Sequence, residues 1–243
     1  MDQNGIAVVR LDRPPANALE LESARALHGA LAQAAREDDA RGVVLTGTGE
    51  FFSAGLDLKV VPAYDPAHQR EMILALTQLV RTIYGFPKPL VAALNGHGVA
   101  AGTLLALASD YRVGPDDRSR FGLTGVRVGI PYPTAALAVI EAELAPPARR
   151  VILLTAQTFD SRAAHAMGII DELVPPTTVL EHAISHARDL TAMPADGYRT
   201  TKLALRKTTL DTIDRVLRDQ DDPFLGAWIP ERRRGEPTIG GPL

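Results

Sequence analysis

The sequence has no cysteine. That absence excludes disulfides, thiol nucleophiles and thiolate metal sites, and it fits a cytoplasmic protein. A basic surplus is also missing. The formal net charge is −3 and arginine pairs such as Arg149-Arg150 stand alone, so no field exists to hold a polyanion and nucleic acid is not an expected partner. The opening MDQNGIAVVRLDRPP carries an acid at Asp2 and no long apolar region, so it does not read as a signal peptide. Leu90 to Ala108 is uncharged and about long enough to span a bilayer, but Asn95-Gly96 and Gly98 interrupt its middle. A buried strand, a tight turn and a buried helix are expected there, and no membrane. Repeats and low-complexity tracts are absent as well.

What remains is an ordinary soluble composition. With 243 residues, 46% of them hydrophobic and 23% charged, the chain is long enough for a sizeable core, either as one large domain or as a core with an appendage. IAVVRL reads as a strand, and ELESARALHGALAQAAR sets Ala24, Leu27, Leu31 and Ala34 at helical spacing. RGVVLTG and PLVAAL are short apolar runs closed by turns, the pattern of buried strands. Asp65-Pro66 predicts a capped helix start, and Gly85 and Pro87 its end. GTLLALASD predicts a buried helix, and YRVG and SRFG short strands. From Pro133 onward helices dominate, with a cap at Asp160-Ser161, a strand in GIIDELVP and three further helices after Thr178. Strands alternating with helices, followed by a mostly helical last third, predict an α/β core with a helical C-terminal segment. The final WIPERRRGEPTIGGPL loses helical periodicity and is expected to be irregular.

Two glycine-rich turns follow buried strands, LTGTGEFFSAGLDLK and ALNGHGVAAGTLL. Each is expected to present backbone N–H groups at or near a helix start, where donors aimed by the turn and helped by the helix dipole stabilise a developing oxyanion. For either turn alone, the simpler account is that a strand-to-helix turn needs glycine anyway. A dinucleotide site is a competing reading, because Gly96 to Ala101 fits G-x-G-x-x-A. The acid that such a site wants about twenty residues later is met only by Asp116 and Asp117 in a polar loop, so this reading ranks lower. His182 and His186 stand one helical turn apart, a spacing open to metal, but with no third ligand in view they are expected on a solvated face and no metal is expected.

In order and spacing, VVRLDRPPANAL, VVLTGTGEFFSAGLDLK, FPKPLVAALNGHGVAAGTLLALASDYRVG, FGLTGVRVGIP, LLTAQTFDSRAAHAMGIIDELVP and TTKLALRK resemble the crotonase superfamily, the enoyl-CoA hydratase/isomerase family. The resemblance spans Val8 to Lys207. It implies a crotonase-like spiral of ββα units over residues 1–191 and a C-terminal helical oligomerisation segment with an irregular tail over 192–243. It also implies an oxyanion hole at the backbone N–H groups of Leu56 and Ala101 that grips an acyl-CoA thioester carbonyl. CoA, as part of the substrate, would lie along Ala16, Ala18, Ala54, Asp57 and Leu58. No further cofactor is implied, and the assembly would be a homotrimer or a dimer of trimers.

The chain departs from that family at the positions where hydratases carry two glutamates, which are Leu104 and Gly125 here; a third acid position is Pro133. Acid–base groups contribute roughly 10²- to 10⁴-fold each, so hydration is doubtful, and restoring both glutamates should raise it. Decarboxylation of a malonyl-type thioester needs no base to start, and a decarboxylase branch resembles this chain in GIPYP. The expected function is thus an acyl-CoA-processing lyase or isomerase, with a malonyl-type decarboxylase or a non-catalytic acyl-CoA binder as alternatives. Two side chains are candidates for a catalytic role. Tyr132 can hydrogen-bond a substrate carboxylate or simply pack on the next helix, and packing is the favoured reading. Histidine as a residue type has an unperturbed pKa near neutrality, so His97 can act as acid or base, or hold the turn; the structural role is expected. A C-terminal helix closing over the CoA site, usual in the family, cannot be formed by GEPTIGGPL.

Overall fold

Two sheets, entered in alternation, organise the chain. The computed structural model describes residues 5–220, 222 and 223. The chain runs through β1 (Ile6–Leu11) and α1 (Leu21–Arg36) into the first strand, strand, helix unit, β2 (Gly42–Gly47), β3 (Phe51–Ser53) and α2 (Pro66–Tyr84). β4 (Leu90–Ala93), β5 (His97–Val99) and α3 (Ala101–Ala108) form the second such unit. β6 (Tyr111–Pro115), β7 (Phe121–Gly122) and α4 (Thr134–Glu143) form the third. α5 (Pro146–Thr155), β8 (Thr158–Phe159), α6 (Ser161–Ala166), β9 (Glu172–Val174), α7 (Val179–Thr191), α8 (Ala195–Leu205) and α9 (Lys207–Asp219) follow.

The first strand of each unit joins a five-stranded parallel sheet ordered β1-β2-β4-β6-β9, and the second joins a four-stranded sheet ordered β3-β5-β7-β8, in which only β8 runs antiparallel. This is the spiral of ββα units expected from the sequence.

Side-chain alternation along the long strands explains why both faces of the five-stranded sheet are covered. Val44, Val91, Ala93 and Val113 point to α7 and meet Val179, Ala183 and Ala187. Their neighbours Val43, Leu45, Leu90 and Ala92 point the other way, into a larger core shared with α1, α2, α3 and α4. Leu210 and Ile213 of α9 belong to that same core, so the C-terminal helices pack on it. The irregular tail read in the sequence lies outside the described residues.

Local signals set the helix ends. Glu20 and Ser23 form a reciprocal capping box on α1, and the buried face of that helix includes Ala24, Leu27, Leu31 and Ala34 as the spacing predicts. Asp65 accepts from the His68 N–H at the start of α2, with Pro66 in the first turn and Gly85 at the end. By contrast β3, β5 and β8, of two or three residues each, were not legible from the sequence, because such short segments carry no measurable alternation.

One buried charge network ties α8 and α9 to the sheet. Asp110 accepts from the Leu90 N–H at 2.8 Å, the Tyr198 hydroxyl at 2.9 Å, Lys202 Nζ at 2.7 Å and an Arg206 guanidinium nitrogen at 2.9 Å. Burial pushes the Lys202 ammonium down to about 8 even though Asp110 opposes the shift. Removing one partner of a buried ion pair costs about 3–5 kcal/mol because a charge is left uncompensated. Asp110→Ala is therefore expected to lower the unfolding free energy by that amount in a urea titration; a loss under about 1 kcal/mol would show that the network does not hold the helices.

Candidate active site

The site is built where the two glycine-rich turns touch backbone to backbone. β3 pairs with β5, and just beyond them Gly55, at φ +83°, lies so close that a Cβ there would sit 2.8 Å from Ala100 Cβ and 2.9 Å from Ala101 N. A Cβ on Gly102 would come within 2.2 Å of the Ser53 carbonyl oxygen. Only glycine fits at either place. Two asparagines lace the turns together. Asn95 accepts from the Gly47 N–H at 2.8 Å and donates to the Gly49 carbonyl at 2.9 Å, while Asn17 donates to the carbonyls of Thr48 at 2.9 Å and Phe51 at 2.7 Å.

This packing leaves two backbone donors unspent. Leu19 donates to the Gly55 carbonyl at 2.7 Å and accepts from the Asp57 N–H at 2.8 Å. Successive amides of an extended chain face opposite sides, so the N–H of the intervening Leu56 is turned away from Leu19. Ala100 adopts φ +52° and ψ −118°, a conformation few non-glycine residues hold, and donates to the Gly122 carbonyl at 2.7 Å. Ala101 then opens α3, where a first-turn N–H has no intrahelical acceptor. Among the described residues neither the Leu56 nor the Ala101 N–H has a protein acceptor. The expectation that both stand at helix starts holds only for Ala101. Leu56 is followed by a turn and a short 3₁₀ helix at Val61–Ala63, and α2 begins at Pro66, so no helix dipole acts at Leu56.

Both residues line a cavity of about 90 Å³ together with Ala54, Leu58, Leu104, Gly125 and Tyr132. Leu76 of α2, Ala136 of α4 and Leu123, Val128 and Ile130 complete an almost wholly apolar wall. Among the described residues Tyr132 is the single titratable side chain in that lining. Its hydroxyl accepts from the Gly125 N–H at 3.0 Å. Burial pushes the phenol above its ordinary value, although the backbone amides of Gly125 and Val126 oppose the shift, so it is a neutral donor at physiological pH.

Position 125 is filled from outside. A Cβ on Gly125 would meet the Ile130 carbonyl oxygen at 2.8 Å and the Tyr132 ring at 3.2 Å. The tyrosine thus stands where a side chain at 125 would have to go, and restoring a glutamate there, as the sequence invited, is obstructed by the fold itself.

Other candidates fall elsewhere. His97 sits in β5 and is absent from the cavity lining; its Nδ1 accepts from the Arg120 N–H at 2.9 Å and its ring packs against Phe51. Asp57 is bound to Arg13 at 2.7 Å and caps the Lys59 N–H at 3.0 Å, instead of starting a helix. Arg13, with the Lys59 and Val60 amides, holds the Asp57 carboxyl below the usual carboxylate range against its partial burial. The carbonyls of Ala16 and Ala18 accept from the Ala54 N–H at 2.9 Å and from Arg13 at 3.2 Å, so these residues brace the first turn beside the cavity. His182 pairs with Glu172 at 3.0 Å and His186 stacks on Tyr111 at 3.6 Å; among the described residues no metal-binding group of three ligands exists. Sequence reasoning missed Thr103, whose hydroxyl accepts from the Gly122 N–H at 3.0 Å and lies 2.6 Å from the Gly98 carbonyl oxygen, locking β7 to the second turn. It also missed the apolar wall, which comes from elements scattered between α2 and α4 and leaves no local pattern.

A spiral of strand, strand, helix units in which Leu56 and Ala101, whose main-chain N–H groups have no protein acceptor among the described residues, line an apolar cavity defines a class of protein whose site is made of backbone more than of charged side chains. The model of the family described as enoyl-CoA hydratase/isomerase matches residues 1–228, and the chain belongs to that family. It is 33% identical over 207 residues to the human mitochondrial enoyl-CoA delta isomerase 1, covering 84% of this chain and 68% of that relative. Among solved structures, an enoyl-CoA hydratase, EchA3, from Mycobacterium ulcerans superposes with a TM-score of 0.84 at 30% identity, covering 90% of this chain and 95% of the other. The human mitochondrial delta3-delta2-enoyl-CoA isomerase superposes with a TM-score of 0.84 at 32% identity, covering 89% and 84%. No helix among the described residues is long and apolar enough to cross a membrane.

Overpacking a tight site costs about 1–3 kcal/mol. Gly125→Ala is expected to lower stability by that amount in chemical denaturation, and an unchanged midpoint would mean that Tyr132 and the Ile130 carbonyl yield freely.

Proposed function

We propose that the chain is an acyl-CoA-processing enzyme that holds a thioester carbonyl, and the enolate formed from it, on the N–H groups of Leu56 and Ala101. The observation that carries this reading is that both residues line one apolar cavity and that, among the described residues, neither N–H has a protein acceptor. Against apolar walls, preorganised donors stabilise a developing oxyanion better than they would in bulk water. CoA itself lies along Ala16, Ala18, Ala54, Asp57 and Leu58, the substrate is the sole carrier of CoA, and the family resemblance supports a homotrimer or dimer of trimers built on the C-terminal helices.

The acyl chemistry is narrowed by what lines the cavity. Leu104 and Gly125 move no proton, and Tyr132 is the one titratable side chain there. Hydration of an enoyl thioester needs an acid and a base acting on water, whereas loss of CO₂ from a malonyl-type thioester breaks the Cα–carboxylate bond and leaves the electron pair on the enolate without a base. The enolate then takes a proton at Cα from Tyr132 or from water. Decarboxylation is accordingly the second reading, favoured by the lone phenol; a non-catalytic acyl-CoA binder is the outcome if turnover fails.

Purified protein is expected to bind acyl-CoA saturably and to turn over a malonyl-type thioester faster than it hydrates an enoyl one. Failure to bind any acyl-CoA would sink the reading, and binding without turnover of enoyl, malonyl or hydroxyacyl thioesters would leave the binder. Because burial raises the Tyr132 phenol above its ordinary value, it stays protonated across this range and the rate should be flat between about pH 6 and 9. An inflection near neutrality would assign the proton transfer to a histidine instead.

A further inference from the structure

We propose that the cavity accepts only short acyl groups, of about four carbons or fewer, and that Leu104 and Tyr132 set this limit. The inference rests on the acyl-CoA reading above. Its basis is size. The cavity measures about 90 Å³, whereas a dry apolar cavity of about 150 Å³ takes a benzene ring, so by proportion about four carbons fill the space here.

The walls are not free to retreat. Leu104 is 3% exposed and Ala136 is 3% exposed, each fixed on a helix that packs into the main core. Leu76, on α2, closes the cavity from a third helix and is likewise buried. Tyr132 is tethered at its tip by the Gly125 N–H at 3.0 Å, and its ring already fills the space over Gly125. Swinging it aside to admit a longer chain would break that hydrogen bond and leave a buried amide without an acceptor.

The test is a calorimetric binding series on the full-length protein with CoA, acetyl-, butyryl-, hexanoyl- and octanoyl-CoA. Butyryl-CoA is expected to bind at least as tightly as CoA, and octanoyl-CoA tenfold or more weakly than butyryl-CoA. Leu104→Ala is expected to recover at least threefold of the octanoyl affinity without improving butyryl binding. Should that variant not fold, Val128→Ala, at a half-buried lining position, is expected to shift the limit in the same direction. Equal affinity for butyryl- and octanoyl-CoA in the unaltered protein would overturn the size limit while leaving the acyl-CoA reading intact. Absence of binding across the whole series, CoA included, would overturn both. A steep chain-length limit that neither variant moves would remove Leu104 from its role.

Discussion

Everything at the candidate site depends on two stretches of main chain lying against each other with no side chain between them. Gly55 faces Ala101 N and Gly102 faces the Ser53 carbonyl oxygen at distances where a methyl group would collide. That contact draws β3 and β5 into one sheet, turns the Leu56 amide away from Leu19 and sets the first amide of α3 beside it. Ala100 holds a backbone conformation that costs of order 1–3 kcal/mol outside glycine, and hydrogen bonding to Gly122 together with Thr103 fixes that turn in place. The donors are therefore rigid before any ligand arrives. This preorganisation is what makes backbone N–H groups effective, since nothing must reorient as charge develops.

The charges of the molecule are placed in the opposite way. Ionised groups cluster at the C-terminal end of α3, where Asp110 collects Lys202 and Arg206 and thereby clamps the C-terminal helices onto the core. The cavity at the helix's N-terminal end has no ionised side chain among the described residues, and its one titratable side chain among them is a phenol kept neutral by burial. A short apolar helix separates the two environments, all eight of its residues buried. Family membership gives the scaffold, and the lining of the cavity, with Leu104 and Gly125 in it, is what sets this chain's site apart electrostatically from the charged network.

Much of the architecture was legible in short patterns. The strands at 6–11, 42–47 and 90–93 and the helices capped at Glu20, Asp65 and Asp160 follow from apolar runs, 3.6-residue spacing and capping chemistry within a few residues of one another. The strands β3, β5 and β8 were not, because two or three residues carry no period and owe their pairing to partners far away in sequence. The site divided along the same line. The paired turns and the missing acids at Leu104 and Gly125 were visible, yet His97 was drawn into contention by its place in a turn and proved to be held by the Arg120 amide.

The sequence by itself determined the order of the longer strands and helices, the glycines that permit close approach and the absence of carboxylates at two positions, since each depends on residue identity and near neighbours alone. Only the tertiary structure decided that Leu56 owes nothing to a helix dipole, that Tyr132 occupies the space over Gly125, and that the cavity is small and lined almost wholly by apolar groups. Those are facts about which distant atoms meet, and packing forces from five or more separate segments set them at once, a constraint that no local pattern of residues records.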